Sequence, residues 1–313
     1  LGIGWDLYYG AGFERDGSIN LLQAGISSAD MITTVSPTYA NEIQSVEGGF
    51  GLDGLLRVRS DVVRGVLNGC DLDVWNPKTD KLLPANFDYK NIANKALCKQ
   101  ALQKRMGLSE NKDVPVIGII TRLADQKGIA EIFAPNYGSI YAMCKNMNIQ
   151  FAVLGSGEKW CEDEINTLQS NLPNLRAYIG YDEGLSHLIE AGSDFFLMPS
   201  RYEPCGLNQM YSMLYGTLPI ARRTGGLADT IEQYNESTGD GTGFLFDNLT
   251  PGAIYDTVGW AVHAYYNKKA HIEKMQKRGM QKNFSWEQSA KNYVLVYSDA
   301  LWRGCGINTA DWK

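Results

Sequence analysis

The sequence predicts an α/β fold, a doubly wound parallel sheet. From Val114 onward, short apolar runs alternate with segments of helical period, the pattern of repeated strand–helix units. Most of these runs are apolar at every position, so the strands are covered on both faces, as in a parallel sheet. Charged, glycine and aromatic residues collect in the loops after the strands, where open α/β sheets bind their ligands.

The stretch from Asp194 to Ala221 shows the unit most clearly. Phe195 to Met198 is too short for a helix and stops at Pro199, so it reads as a strand. Pro204 and Gly206 impose a tight turn. Leu207, Met210, Tyr211 and Leu214 then recur at helical spacing, Gly216 ends that helix, and Leu218 to Ala221 is the next strand. Glu203 therefore stands at the carboxyl end of a strand, just before a helix N-terminus, and the amides of Gly206 and Leu207 suit an anion there.

Taken in order, residues 1–67 do not read as the opening of a domain. A helix over Leu21 to Ala29 is predicted with Asp16 or Ser18 as its cap. Met31 to Val35 reads as a strand, Ser36-Pro37 as a helix start, and Glu47 to Leu56, rich in glycine but lacking a Gly-Lys-Ser/Thr ending, as a mobile surface loop. Val62 to Leu67 is a short strand. The turn signals at Asn68–Asp71 and Trp75–Pro77 mark a boundary or hinge. A helix near Ile92 to Met106 closes at Gly107. Strands follow at Val116–Thr121, Phe151–Leu154 and Leu175–Ile179, with helices at about 129–144, 159–168 and 183–191. Beyond Ala221 the reading is a helix over Leu227 to Tyr234, a short strand near Phe246, and helices at 251–267, 268–281 and 285–302, the last capped by Ser285.

The chain has 313 residues, a formal net charge of −6 and 44% hydrophobic residues. That supports a sizeable core and argues against a nucleic-acid surface. No apolar run reaches the length of a membrane span, and Leu1 to Trp5 is not a signal peptide. With no initiator Met, the chain reads as a fragment or a processed product. The six cysteines show no C-x-x-C pairing and there are three histidines, so reduced thiols are expected and a zinc site is not.

The loop Thr121-Arg122-Leu-Ala-Asp-Gln-Lys127-Gly128 follows a strand and precedes a helix. Its two cations suit a diphosphate, against the plainer reading of two solvated side chains. Gly155-Ser-Gly157 also follows a strand, but position 160 is Trp, so the dinucleotide fingerprint is absent and a nicotinamide enzyme is rejected; the glycines are expected to let a ligand or the next helix approach. Glu203 reads as a binding carboxylate, or more plainly as a surface residue or a salt-bridge partner of Arg201 or Arg222. Cys205 reads as a packing or ligand contact, and His187 as a core or surface histidine. Tyr181 is placed to stack on a flat ring, and Thr224-Gly225 offers amides at another helix start. Strand-end loops with amides, Arg, Lys, Glu and Tyr on one sheet edge suit a nucleotide diphosphate attached to a polyol.

The runs Thr33 to Ala40, Leu67 to Asp71 with Trp75 to Pro77, Thr121 to Gly128, Gly180-Tyr181, Pro199 to Leu207, Tyr215 to Pro219 and Arg222 to Thr230 resemble, in order, the motifs of bacterial glycogen synthases and plant starch synthases. The resemblance runs from about residue 16 to residue 303. It implies a GT-B-type pair of Rossmann-like domains, ADP-glucose as donor, and transfer of glucose with retained configuration to the non-reducing end of an α-1,4-glucan. Arg122 and Lys127 match the family's diphosphate-binding pair, and Glu203 the acidic residue near the reacting carbon. Cys205, Gly206 and Leu207 match the loop around sugar and phosphate, Tyr181 the adenine-stacking residue, and Asn68 a sugar-side residue at the hinge. Thr224 and Gly225 join the donor-binding set. Neither a cofactor, a metal, a nucleic acid nor a membrane is called for. Residues 1–67 correspond to the tail of the acceptor-side domain, 68–282 to the donor-binding domain, and 283–313 to a helix crossing back and its tail. The family's Lys-x-Gly-Gly-Leu loop and a sugar-facing histidine have no counterpart here. The implied setting is bacterial cytoplasm or plastid stroma. A UDP-glucose-dependent relative, or a donor- or glucan-binding fragment inactive alone, are the alternatives.

Overall fold

A computed structural model describes residue 2 and residues 4–309; Leu1, Ile3 and the end of the predicted tail lie outside the described residues. The chain divides into two units, Cys70–Ser285 and the described part of Leu1–Gly69 with Trp286–Lys313.

In the smaller unit, strands Ile32–Thr34 and Val63–Gly65 pair in parallel. Helix Pro37–Glu42 starts as the sequence predicts, with Ser36 Oγ accepting from the Tyr39 amide and proline in the first turn. Helix Leu21–Ser28 is capped by Asn20, not by Asp16 or Ser18. Those two residues are occupied in a small hairpin, Glu14–Arg15 against Ser18–Ile19, whose turn residues Asp16 and Gly17 both have positive φ. The glycine-rich stretch is not simply a surface loop. It runs into helix Asp53–Val58, and Leu52 and Leu56 join Ile26, Ala40 and Val63 in a core. Helix Trp286–Cys305 is tied to this unit by Arg303, 2.9 Å from Asp61.

The larger unit holds, in chain order, α1 (Lys95–Met106), β1 (Val116–Leu123), α2 (Ile129–Phe133), α3 (Ser139–Asn146), β2 (Gln150–Gly157), α4 (Lys159–Asn171), β3 (Leu175–Ile179), α5 (Glu183–Gly192), β4 (Phe195–Met198), α6 (Asn208–Leu214), β5 (Leu218–Arg222), α7 (Gly225–Thr230), β6 (Phe244–Phe246), α8 (Pro251–Asn267) and α9 (Lys269–Met280). All six strands are parallel, in the order β3-β2-β1-β4-β5-β6. Successive side chains go to opposite faces. Ile117, Ile119, Phe195 and Leu197 enter one apolar cluster, whereas Val116, Phe196 and Met198 enter the other. This two-sided burial is why the strands read as unbroken apolar runs. Among the described residues no helix is long and apolar enough to cross a membrane, and the six cysteines are free thiols, with only Cys305 exposed.

Two predicted helices are corrected. The continuous helix over 129–144 is two short helices, because Pro135 cannot continue α2 and Asn136 turns through φ 71°. The helix over 227–234 begins earlier and stops at Thr230. Tyr234 and Asn235 donate their amides to Gly243 and Asp240 instead, and a backbone so engaged cannot continue the helix.

Trp75 belongs to the larger unit. Its ring lies between those of His187 and Tyr211, at centroid distances of 3.8 and 4.0 Å. Beneath it the buried Asp80 carboxylate accepts from the Tyr215 hydroxyl at 2.6 Å and lies 2.7 Å from His187 Nδ1. Burial pushes the Asp80 carboxyl up, but the hydrogen bonds from His187, Tyr215 and the Leu82 amide together hold it below its ordinary value. His187 is thus a core histidine.

A second buried group joins α1 to α5 and to the turn between α6 and β5. Lys95 Nζ donates to Ala191 O, Tyr215 O and Thr217 Oγ1 at 2.8, 2.9 and 2.7 Å. Ser212 Oγ donates to Glu190 Oε2 at 2.6 Å. Burial lowers the Lys95 ammonium to about 8 and raises the Glu190 carboxyl to about 8. A carboxyl raised on folding contributes stability that is complete below its unfolded value of 4.5 and is lost as the pH climbs through about 8. Glu190→Gln is expected to melt close to wild type at pH 5 and above wild type at pH 9. Melting curves at both pH values check this, and an unchanged difference between the two proteins would rule it out.

Candidate functional site

The strand order changes direction between β1 and β4. In open α/β sheets the ligand crevice lies there, outside the carboxyl ends of the strands. A cleft of about 360 Å³ opens at this point. Arg122 lines it from the carboxyl end of β1, which runs two residues beyond the predicted Thr121, and Lys127, Tyr181, Glu203, Gly206 and Leu207 line it from the segments that follow strands.

The approach of the two central loops depends on Gly128. Its φ is +67°, and a Cβ there would stand 2.1 Å from Pro199 O, so no other residue fits without displacing one loop. The Arg201 amide donates to Gln126 O at 2.8 Å, and the Arg201 guanidinium holds Asp125 and Glu131 at 3.1 and 2.9 Å. Arg201 therefore fixes the β1 loop against the β4 loop, while Arg222 Nη1 donates to Arg201 O at 2.5 Å.

Lys127 Nζ lies 2.5 Å from Glu203 Oε2, with side-chain exposures of 19% and 8%. Ser200 Oγ donates to the same oxygen at 2.8 Å. Glu203 is thus neither a surface residue nor a partner of Arg201 or Arg222. Arg122 is exposed, with Nη2 bonded to Gln126 Oε1 at 3.0 Å. Tyr181 is 82% exposed at the rim. Among the described residues, no acceptor is found for the Gly206 and Leu207 amides, which leaves two donors at the start of α6 for an anion.

Cys205, Thr224 and Gly225 do not line the cleft. Cys205 and Thr224 are buried. Gly225 has φ +44°, and a Cβ on it would stand 1.9 Å from Glu203 O. Gly225 and the Gly226 amide, which donates to Glu203 O at 3.0 Å, support the Glu203 loop from behind. Asn68 belongs to the smaller unit, half-buried near its end. Gly155 lines the cleft, and its close protein neighbour is a strand, not the next helix. Its missing side chain admits the neighbouring strand, since a Cβ would stand 2.0 Å from Thr121 O.

Sequence reasoning singled out neither Ser200 nor Gln126 and Asn208. Ser200 orients Glu203, and Gln126 holds Arg122 and donates to Tyr202 O at 3.3 Å. Asn208 reaches across to Ile120 O at 3.0 Å. The signal for Ser200 and Gln126 was their place inside the two charged loops. Asn208 carried none, because its partner lies 88 residues away. Among the described residues no cluster of three or more His, Cys, Asp or Glu side chains could hold a metal.

Comparison with known proteins fits this geometry. Residues 102–279 match the family described as glycosyl transferases group 1, and residues 1–58 match the starch synthase catalytic domain. The chain is 57% identical over 300 residues to a glycogen synthase of Treponema denticola, covering 96% of this chain and 61% of that protein. It is 45% identical over 307 residues to glycogen synthase 1 of Geobacter metallireducens, covering 98% and 60%. The solved catalytic domain of starch synthase IV from Arabidopsis thaliana, bound to ADP and acarbose, superposes with a TM-score of 0.85 at 36% identity, over 92% of this chain and 59% of that one. A sucrose-phosphate synthase from Thermosynechococcus elongatus shares the fold at a TM-score of 0.58 and 18% identity. The chain spans about 60% of the length of the glycogen synthases it matches. With a parallel sheet that opens at its switch point and both family segments in order, the chain belongs to the glycogen and starch synthase family of the group 1 glycosyl transferases.

Proposed function

We propose that the protein carrying this chain transfers glucose from ADP-glucose to the non-reducing end of an α-1,4-glucan, and that the cleft described above holds the donor. The observation that carries this reading is the meeting of Arg122, Lys127, Glu203 and Tyr181 on one cleft at the sheet's switch point. A nucleoside diphosphate attached to a sugar presents two phosphates, a flat base and a polyol. Arg122 and Lys127 offer fixed positive charge to the diphosphate, and that charge matters most as the glycosidic bond breaks and the leaving group becomes more negative. The Gly206 and Leu207 amides add donors at the start of α6. Glu203, oriented by Ser200, faces the donor sugar, and we assign Asn68 to the same donor-binding set. Thr224 and Gly225 hold the Glu203 loop in place. We assign the protein to a reducing compartment, bacterial cytoplasm or plastid stroma.

Tyr181 stacks on the base in this reading. Tyr181→Ala is expected to raise the KM for donor roughly tenfold with kcat nearly unchanged, the signature of a lost stacking contact remote from the reacting bond. A KM equal to wild type would remove Tyr181 from the site.

The central experiment incubates the full-length protein with glycogen and labelled ADP-glucose or UDP-glucose. Preferential incorporation from ADP-glucose supports the reading. Preference for UDP-glucose identifies the alternative donor. No transfer from either overturns it. The 313-residue chain is expected to bind ADP with little or no transfer, since it spans about 60% of the length of the glycogen synthases it matches and transfer needs every reacting group held in register.

A further inference from the structure

Gln209, in the first turn of α6, is fully buried and does not line the donor cleft. Its Nε2 donates to Cys205 O at 3.0 Å, to Gly206 O at 3.1 Å and to Thr230 Oγ1 at 3.2 Å. Thr230 Oγ1 in turn donates to Gly226 O at 2.6 Å, and the Gly226 amide donates to Glu203 O at 3.0 Å. A ring of hydrogen bonds thus joins the backbone of the Glu203–Gly206 turn to α7. Gln209 Oε1 has no donor among the described residues. An orphaned buried acceptor costs stability, so the contribution of this side chain lies in its NH2 group. The opposite amide orientation would set Oε1 against two carbonyl oxygens.

We infer that Gln209 is a positioning residue for donor binding, which holds the Cys205–Gly206 and Gly206–Leu207 peptide planes with their N–H groups toward the diphosphate. The inference rests on the proposed function, which puts a diphosphate in this cleft. A trans peptide is planar, and its C=O and N–H point in opposite directions. Cys205 O and Gly206 O both point to the buried Gln209 amide, so the Gly206 and Leu207 N–H groups point away from it. Both residues line the cleft, and neither amide has an acceptor among the described residues. The turn needs such a hold because Gly206 sits at φ +71°, and glycine crosses between backbone regions closed to other residues. A flip of either plane would turn a carbonyl oxygen onto the anion. Gly206 is also the residue that admits Gln209, since a Cβ there would stand 2.5 Å from Gln209 Oε1.

The test measures inhibition of glucosyl transfer by ADP and by adenosine in the full-length protein, as wild type and as Gln209→Met. Methionine fills a similar volume and has no N–H to donate. The inhibition constant of ADP is expected to rise roughly tenfold, the size of effect of a lost hydrogen bond to a charged group. Turnover should fall as well, because charge grows on the diphosphate as it leaves. Adenosine carries no phosphate and should inhibit as it does in wild type. Gln209→Glu, whose carboxylate has no donor either, should show the same split between the two inhibitors. An inhibition constant is read on the folded, active fraction, so early melting of a variant does not spare the inference. An ADP constant equal to wild type, or a parallel weakening of ADP and adenosine, would overturn the role of Gln209. If UDP-glucose is the donor, UDP and uridine take the place of ADP and adenosine, because the peptide planes face the diphosphate and not the base. A wild type that transfers from neither donor overturns the functional reading and this role with it. An active wild type with unchanged variants overturns this role alone.

Discussion

Lys127→Ala is expected to lower the turnover of glucosyl transfer by roughly a hundredfold, about 3 kcal/mol of transition-state stabilisation, the loss seen when one preorganised charge is removed from a developing anion. The geometry explains why the effect is large. Lys127 is one of two cations lining the cleft, and its side chain is mostly shielded from water. Electrostatic interactions are stronger there than at an open surface. Its removal also takes from Glu203 the cation 2.5 Å away and leaves Ser200 as the remaining side-chain partner. Lys127→Arg keeps the charge but not the compact shape, so it should recover part of the activity. Steady-state kinetics on the full-length protein check this. A kcat within a few-fold of wild type in Lys127→Ala would exclude Lys127 from the chemical step. A raised KM with unchanged kcat would limit it to ground-state binding.

Asp80→Ala is expected to destabilise the larger unit by about 3–5 kcal/mol, the cost of leaving buried polar partners unpaired. Asp80 and His187 side chains are each 2% exposed, so water does not replace the lost carboxylate. The Tyr215 hydroxyl and His187 Nδ1 would lose their shared acceptor, and the Trp75–His187 stack would lose its anchor. Asp80→Asn keeps one oxygen acceptor and should cost less. Urea denaturation of both variants measures the difference. Equal midpoints for Asp80→Ala and wild type would show that the cluster is neutral to stability. Because Asp80 lies outside the donor cleft, kcat measured well below the melting temperature should change far less than in Lys127→Ala.

Much of the larger unit was legible because its signals are local. Strand Leu175–Ile179 and strand Phe195–Met198 have the predicted limits, since apolar runs bounded by turn residues depend on few neighbours. The helices that went wrong failed where a local signal competed with a longer-range one. Leu227 to Tyr234 has helical spacing, yet residues 234–235 pair with 240–243 instead. The helix expected over 129–144 contained its own warning in Pro135, which the apolar periodicity on either side obscured. The Asp16-Gly17 turn was another legible signal, and reading it would have moved the cap to Asn20.

For the site, the sequence by itself determined that Lys127, Glu203, Gly206 and Leu207 stand in strand-end loops, because turn residues are written locally; Arg122, expected in the loop, lies in the last residues of β1. The β1 and β4 loops are separated by 76 residues. Only the tertiary structure decided that Lys127 pairs with Glu203, that Ser200 orients the same carboxylate, and that Gly225 and Gly226 support the loop from behind. Such contacts follow from strand order, here the adjacency of β1 and β4. Strand order is set by how the helices pack over the whole sheet, not by any one stretch of the chain.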